Sequence, residues 1–183
     1  PTNITFTKEE KHFLHNLHTL KVSNEMNWPP YNYNEHGIPK GYSIDYMKLL
    51  AKKINLNIEF VNNYSWNEFL TKIKNKELDL MLNIVNTKNR REYINFTEDY
   101  TRTSPAIFVH EDNKDIKNIH DLNNKTVSIP KGFYYEEVLK KYYPKIKLKL
   151  RKNTLETLRD VQFKRADATL TNFPVANYLI KYH

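Results

Sequence analysis

Four features that could bind a small ligand follow predicted strands of this sequence. They are Trp28, Trp66, Arg90 and the pair Lys131–Gly132. In open α/β sheets, ligands bind outside the carboxyl ends of the strands. An arginine can hold a carboxylate through two hydrogen bonds, and the first N–H groups of a helix attract negative charge. A tryptophan is more often a core residue, and an arginine beside Arg91 can be ordinary surface charge, but the convergence of four features predicts a binding site.

The sequence supports catalytic residues more weakly than it supports a binding site. None of the serines lies in a nucleophile-elbow pattern or beside a histidine. His12, His15 and His18 recur at a spacing of three, which could place two of them over one helix face for a metal. No carboxylate arrangement typical of a hydrolytic metal site accompanies them, so we interpret them as a solvated helix face. The adjacent acids Glu98–Asp99 and Glu136–Glu137 point in different directions on regular structure. We therefore expect no catalytic residue, no metal and no cofactor.

The composition excludes further classes of protein. The 183 residues include 29 Lys plus Arg, 21 Asp plus Glu, three isolated glycines and no cysteine. A glycine-rich phosphate loop, a disulfide framework and a zinc finger are therefore ruled out. Of the basic residues, 23 are lysines scattered through the chain, and the run 145–150 alternates lysine with apolar residues as a strand with one solvated face does. The net charge of +8 therefore does not predict a nucleic-acid partner.

No apolar run approaches the ~18 residues that a membrane span needs. We also expect no signal peptide before Pro1. We expect a soluble piece, cut from a longer protein.

The hydrophobic pattern predicts two α/β units in which strands and helices alternate, as in a parallel sheet with crossover helices. The elements predicted for the first unit are helix 7–18, strand 20–23, a helix over 46–54 capped by Asp45, strand 57–61, helix 66–74 capped by Ser65 and a buried strand over 78–85. Those predicted for the second unit are strands 106–110, 126–129, 145–150 and 168–171 and helices 133–142, 154–164 and 174–182.

Several blocks of the sequence match one bacterial family in order and spacing. The first block runs from Asn27-Trp28-Pro29-Pro30-Tyr31 through Gly37 and Gly41 to Asp45. The later blocks are Trp66-Asn67-Glu68, Lys76-Glu77-Leu78-Asp79, Thr87-Lys88-Asn89-Arg90, Phe96-Thr97-Glu98-Asp99-Tyr100, Asp121 to Val127 and Ala166-Asp167-Ala168. From about Leu20 to His183 the chain resembles the family 3 bacterial solute-binding proteins.

The N-terminal part resembles one branch of that family. Thr7-Lys8-Glu9-Glu10 before Phe13-Leu14, and the segment 90–97, are similar to the Venus-flytrap sensor domains of histidine kinases and diguanylate cyclases. The resemblance implies an α/β, two-lobed periplasmic-binding-protein type II fold with a hinge and a small ligand between the lobes. The expected parts are a lead-in helix in residues 1–20, lobe one in 21–106 and lobe two in 107–183. The family's returning C-terminal segment is missing after His183, so we expect a fold truncated at that end.

The resemblance also implies the roles of individual residues. Arg90 matches the arginine that binds the ligand carboxylate, and the remaining positions surround the ligand. In lobe one, Trp28 and Trp66 would stack on the ligand, and Glu25 would be an acid at its far end. Asn83 and Val85 would offer polar contacts from the lobe-one loop. In lobe two, the loop before a helix would supply Lys131, Gly132 and Phe133, and Asn172 would supply an amide.

Two departures from the family pattern concern these residues. Amino-acid-binding members place an aspartate near position 172 for the ammonium group, whereas Asn172 adds no charge to hold a desolvated ammonium. The segment 79–90 is one residue shorter than in the amino-acid transporters, which leaves the hydroxyl partner of Arg90 unassigned.

The leading prediction is a periplasmic or otherwise extracytoplasmic sensor domain. It would close around an amino acid or related small carboxylate and signal to a membrane-anchored output module. The nearest alternative is the solute-binding subunit of an amino-acid ABC transporter. A third is an enzyme on the same fold, such as a cyclohexadienyl dehydratase, for which Glu25 is the one plausible acid.

Overall fold

The structure, a computed structural model, describes residues 4–183. Its N-terminal part contains α1 (Lys8–His15), β1 (Leu20–Ser23), β2 (Asn27–Trp28), β3 (Asn32–Glu35), β4 (Ile38–Lys40), α2 (Tyr42–Ile54), β5 (Ile58–Val61) and α3 (Trp66–Lys74). A 3-10 turn follows at Arg90–Glu92. The C-terminal part contains β6 (Pro105–Val109), a 3-10 turn (Ile119–Leu122), β7 (Thr126–Pro130), α4 (Tyr134–Tyr142), β8 (Lys147–Arg151), α5 (Thr154–Gln162), β9 (Ala168–Asn172) and α6 (Phe173–Tyr182).

Lobe one is built on a parallel pair of strands. β1 pairs with β5 from Leu20↔Ile58 to Ser23↔Val61. The apolar face of α2 packs on this pair, and Leu82, from the segment after α3, joins their buried residues in one cluster: Val22, Ile44, Met47 and Ala51. The parallel arrangement follows from the helical crossover between the strands.

The predicted buried strand over 78–85 is wrong. Leu80 forms a single parallel bridge with Val22, and the chain then bends. The reason lies at Asn83, whose φ of 59° is left-handed and incompatible with an extended strand. Leu82 N–H donates to the Ser23 hydroxyl instead of to a strand partner.

A small antiparallel sheet, β2–β3–β4, was not predicted. Its hairpin turns at His36 and Gly37, both at positive φ. α2 starts at Tyr42 behind Gly41, which corrects the predicted N-cap at Asp45. Gly41 has a φ of 115°, and a Cβ there would lie 2.4 Å from the Tyr31 carbonyl oxygen, so this close approach requires glycine.

Lobe two is a four-stranded sheet in the order β6–β9–β7–β8. β7 runs parallel to β8 and β9, whereas β6 is antiparallel to β9. Its core contains Leu122, Val127, Ile129, Leu139 and Leu170. The helix and strand types predicted for residues 126–182 are all present here, with ends shifted by one or two residues.

The predicted boundary between residues 106 and 107 falls inside β6, all five residues of which pair with β9. The described residues include no helix long and apolar enough to cross a membrane.

Candidate functional site

A cavity of about 550 Å³ lies between the lobes. Lobe one contributes Glu25, Trp28, Trp66 and Arg90 to its wall, and the segment leading into lobe two contributes Phe96 and Tyr100. Lobe two contributes Phe133, Tyr134, Tyr135 and Asn172. The wall is rich in aromatic rings. Of its charged side chains, Glu25 and Arg90 are buried, whereas the others are exposed: Asp79, Glu98, Asp99 and Arg102.

Arg90 is held rigidly at this wall. It opens the 3-10 turn, and its N–H donates to the Thr87 hydroxyl at 3.3 Å. Its guanidinium donates from Nη1 to the Val85 carbonyl at 2.9 Å and from Nη2 to the Gly132 carbonyl at 3.0 Å. Burial lowers its pKa, and electrostatic interactions with Tyr93 and Glu137 partly oppose that effect. Arg90 is 5% exposed and remains a cation, since arginine is always protonated in proteins.

Glu25 is the acid of the cavity. The loop before β2 carries it, and its backbone N–H donates to the Asn32 side-chain oxygen at 3.0 Å. The same Asn32 oxygen accepts from Asn24, so two fully buried amides fix this loop. Burial raises the pKa of Glu25 to about 8. At neutral pH the carboxyl group is therefore mostly protonated, and a nearby cation would favour its ionised form.

The side chains of the two tryptophans make different contacts. Trp28 packs against Tyr31 with ring centroids 5.3 Å apart, and its indole N–H has no hydrogen-bond partner among residues 4–183. Trp66 is the first residue of α3, which starts there because Ser65 and Glu68 form a capping box. Its indole N–H donates to the Gly132 carbonyl at 3.0 Å, and its ring packs edge-on against Phe133 at 5.4 Å. Trp66 therefore contacts lobe two directly.

The two residues predicted on the lobe-one loop, Asn83 and Val85, make different contacts. Asn83 lines the cavity; its side chain donates to Ser43 at 2.8 Å, and its backbone N–H donates to the Tyr100 hydroxyl at 3.0 Å. Val85 also lines the cavity; its side chain is exposed, and its carbonyl accepts a hydrogen bond from Arg90.

The lobe-two loop is divided between two surfaces. Phe133 lines the cavity, whereas Lys131 is exposed and lines a smaller cleft of about 380 Å³ with Ser65, Arg151 and Lys152. The Gly132 N–H, expected to face a ligand, donates instead to Glu136 at 2.7 Å. The Gly132 carbonyl is the group that turns toward lobe one.

Asn172 is buried at the cavity wall and caps α6. Its side-chain oxygen accepts from the Val175 N–H at 3.4 Å. The capping role is the ordinary reason for an asparagine at this position.

Tyr100, Tyr134 and Tyr135 line the cavity but were not predicted as site residues. Burial raises the pKa of Tyr100, and that of Tyr135 to about 12. Tyr100 closes the block that starts at Phe96, and this motif was the available signal. The other two follow Phe133 in the sequence, but nothing in their spacing distinguishes them from a solvated helix start.

The three histidines do not share a helix face. α1 ends at His15, three residues short of the predicted end, and His18 lies beyond it, 3.2 Å from Asp79. In the part of the chain that the structure describes, no three metal-binding side chains come together.

Two α/β lobes around a cavity define the type II periplasmic-binding-protein fold. Comparisons with solved structures agree: an ancestral arginine-binding protein bound to arginine superposes with a TM-score of 0.81 at 28% identity, over 89% of this chain and 74% of that one. A histidine kinase sensor domain with similarity to periplasmic binding proteins superposes with a TM-score of 0.83 over 89% of this chain and 72% of that one; at 24% identity it supports the fold alone.

The family profile of the bacterial extracellular solute-binding proteins, family 3, matches residues 20–172. The chain belongs to this family. Among the curated relatives, the probable amino-acid-binding protein YxeM of Bacillus subtilis (strain 168) is 31% identical over 155 residues, which are 83% of this chain and 58% of that protein. The chain thus spans about three-fifths of the length of that relative.

Proposed function

We propose that this chain binds an amino acid or a related small carboxylate between its lobes, outside the cytoplasmic membrane. One observation carries the proposal: a cation 5% exposed, Arg90, lines a cavity of about 550 Å³ and forms no ion pair with an acid among residues 4–183. A buried charge needs a partner of opposite sign, and a ligand carboxylate supplies one. The extracellular family and the amino-acid-binding relative support this assignment.

Glu25, an acid in the same cavity as the Arg90 cation, restricts the chemical class of the ligand. A protonated carboxyl group donates a hydrogen bond, and an ionised one attracts a cation, so a ligand with a polar or cationic far end fits best. Between these groups, Trp28 and Trp66 offer flat apolar surface. A basic amino acid satisfies all these requirements, and its aliphatic stem and cationic head suit an aromatic wall.

The ligand roles of the remaining predicted residues belong to the same proposal. Phe133 and Asn172 would contact the ligand from lobe two, and Asn83 from lobe one. Lys131 would reach the ligand only by moving out of the smaller cleft, and Val85 acts through its carbonyl on Arg90. The boundary between the lobes is also part of the proposal: because β6 belongs to the lobe-two sheet, we place the crossing between the two sheets before Pro105 rather than after residue 106.

The biological output we propose is signalling. Ligand-driven closure would pass from this domain to a membrane-anchored module. The N-terminal capping box, formed reciprocally by Thr7 and Glu10, supports the similarity to sensor domains. The relative named as an amino-acid-binding protein favours the alternative, a transporter's binding subunit. The sequence that follows His183 in the gene would distinguish these two functions. A membrane span with a kinase-like helix would support a sensor, and a stop codon soon after further helices would support a transporter.

A thermal-shift screen tests the binding proposal. The twenty amino acids, small amines and small dicarboxylates are added in turn, and a rise in melting temperature with an amino acid supports the proposal. No shift with any amino acid would contradict it. Incubation with prephenate or arogenate, for which we expect no product, tests the dehydratase alternative.

A further inference from the structure

We propose that the carbonyl of Gly132 is a closure contact: by docking on Trp66 it brings lobe two against lobe one and fixes the guanidinium of Arg90. The proposal rests on the proposed function for the role of Arg90 in ligand binding, but the contact itself can be measured without a ligand.

The first support is a shared acceptor. The Gly132 oxygen accepts from Trp66 Nε1 at 3.0 Å and from Arg90 Nη2 at 3.0 Å. Both donors belong to lobe one and the acceptor to lobe two. A carbonyl oxygen has two lone pairs, so both bonds can form at once.

The second support is the position of Arg90 between two carbonyls. Val85 of lobe one holds Nη1 at 2.9 Å, and Gly132 of lobe two holds Nη2. A guanidinium has five N–H donors in a fixed fork, so three remain for another acceptor. With lobe two withdrawn, only the Val85 contact would fix the plane of the fork.

The third support is the packing around the contact. The Arg90 guanidinium lies 5.9 Å from the centre of the Trp66 ring, and the Phe133 ring packs against Trp66 with centroids 5.4 Å apart. Trp66 is 6% exposed. Removal from water strengthens the hydrogen bonds that these groups make.

The fourth support is the backbone at Gly132. Its φ is 79°, and a Cβ there would lie 3.2 Å from both Asn67 Oδ1 and Leu70 Cδ1 of α3. The absence of a side chain thus allows the loop before α4 to approach α3. Beside it, the Asn89 amide donates to Glu137 at 3.1 Å, a second lobe-to-lobe contact on the exposed side.

These contacts connect two events. Docking of lobe two orders Arg90, and an anion bound by an ordered Arg90 would in turn favour the docked arrangement, since coupling between two equilibria is reciprocal.

The experiment uses the absence of cysteine in the chain. Fluorophores on Lys74→Cys and Lys141→Cys, at the exposed ends of α3 and α4, report the distance between the lobes without any ligand. Gly132→Ala is compared with Gly37→Ala, because Gly37 has a similar φ of 85° but a Cβ added there would meet no atom within 4 Å. We expect the docked fraction to fall about two- to tenfold in Gly132→Ala, the range for one net hydrogen bond, and to stay unchanged in Gly37→Ala.

Two further measurements keep the proposal falsifiable if Gly132→Ala folds poorly. Trp66→Phe keeps an aromatic ring but removes the indole N–H donor, whereas Trp28→Phe loses the same atoms and removes an N–H that bonds to no described residue. Only Trp66→Phe should lengthen the distance between the lobes. Phenylglyoxal labelling, followed by mass spectrometry, should modify Arg90 several-fold faster in Trp66→Phe, with the exposed Arg91 as internal reference.

Equal distances in Trp66→Phe and Trp28→Phe, or an unchanged labelling rate at Arg90, would overturn the closure contact. The proposed function fails separately, by the absence of any thermal shift with amino acids, because neither of these readouts requires a ligand.

Discussion

Glu25 and Arg90 line one cavity but form no ion pair with each other. Burial acts on both groups against their charged forms, raising the pKa of the acid and lowering that of the base. Each therefore stays available to a group of opposite sign that enters the cavity. The Arg90 cation, and a Glu25 carboxyl that ionises beside a cation, suit a ligand with a carboxylate at one end and a cationic or hydrogen-bonding group at the other.

Arg90→Ala should abolish thermal stabilisation by any amino acid that stabilises the parent protein. A hydrogen bond to a charged group contributes about 1.5–3 kcal/mol, which corresponds to a loss of affinity of about 10- to 150-fold. Arg91→Ala is the matched control, because Arg91 is exposed and bonds only to the Asn86 side chain at 2.6 Å. An unchanged shift in Arg90→Ala would contradict the assignment of the cavity.

The pKa of Glu25 predicts a pH dependence of stability. Because it is raised from 4.5 to about 8, the folded state binds more protons than the unfolded state between these values. The free energy of unfolding should therefore fall as the pH rises from about 5 to 8. Urea unfolding at several pH values measures this slope, which should flatten in Glu25→Gln; equal slopes in both proteins would show that Glu25 is not the titrating group.

Binding of a cationic ligand should release protons. If a basic amino acid such as L-arginine places its cation at Glu25, the pKa of that carboxyl group falls, and about one proton leaves at pH 7. Calorimetric titration in phosphate and in Tris, which differ in ionisation enthalpy, counts the released protons. Glu25→Gln should bind without this release, and equal proton release by both proteins would exclude Glu25 as its source.

Asp160 should stabilise lobe two through its buried carboxylate. Burial would raise its pKa, but hydrogen bonds from Arg151 and Ser128 and the charge of Lys149 outweigh that effect and lower it to about 2. Arg151 donates from Nε at 2.6 Å and from Nη2 at 3.0 Å, and Arg165 adds a third contact at 3.0 Å. Stability from this group is present above its unfolded pKa and is lost as the pH falls toward 2.

Asp160→Asn should therefore lower the free energy of unfolding by about 2 kcal/mol or more at pH 7. Asp112→Asn is the control, because Asp112 pairs with Lys164 at 2.7 Å on the exposed surface and should change little. Denaturant titration followed by circular dichroism measures both; similar losses would contradict the role of the buried cluster.

Asn172→Asp tests the neutral amide at the cavity wall. An aspartate keeps the side-chain oxygen that caps α6 and adds a charge for an ammonium group. Affinity for free α-amino acids should rise about tenfold, as measured by calorimetry. Unchanged affinity together with unchanged stability would show that the position 172 side chain does not contact the ligand's amino group.

Local patterns predicted most of the elements. Ser65 was predicted to cap a helix over residues 66–74, and α3 has these bounds. The strand over 78–85 failed because apolar content does not report the left-handed conformation of Asn83. The hairpin of β3 and β4 was missed because its residues are polar and do not alternate.

The sequence by itself determined the class of protein. Isolated glycines and the absence of cysteine excluded whole groups of folds, and the order of blocks from Trp28 to Asp167 identified the family. The exclusions follow from composition, and the family follows from the resemblance of these blocks to its members; neither needs coordinates.

Only the tertiary structure decided how the site residues are used. Trp66 was expected to stack on a ligand, and it donates to the Gly132 carbonyl; the Gly132 N–H was expected to face a ligand, and it donates to Glu136. Burial is likewise a property of the folded chain, and it alone shifts the pKa of Glu25 to about 8. Spacing along a chain brings residues to the same edge of a sheet, but the direction of each hydrogen bond depends on groups that meet only when both lobes are packed.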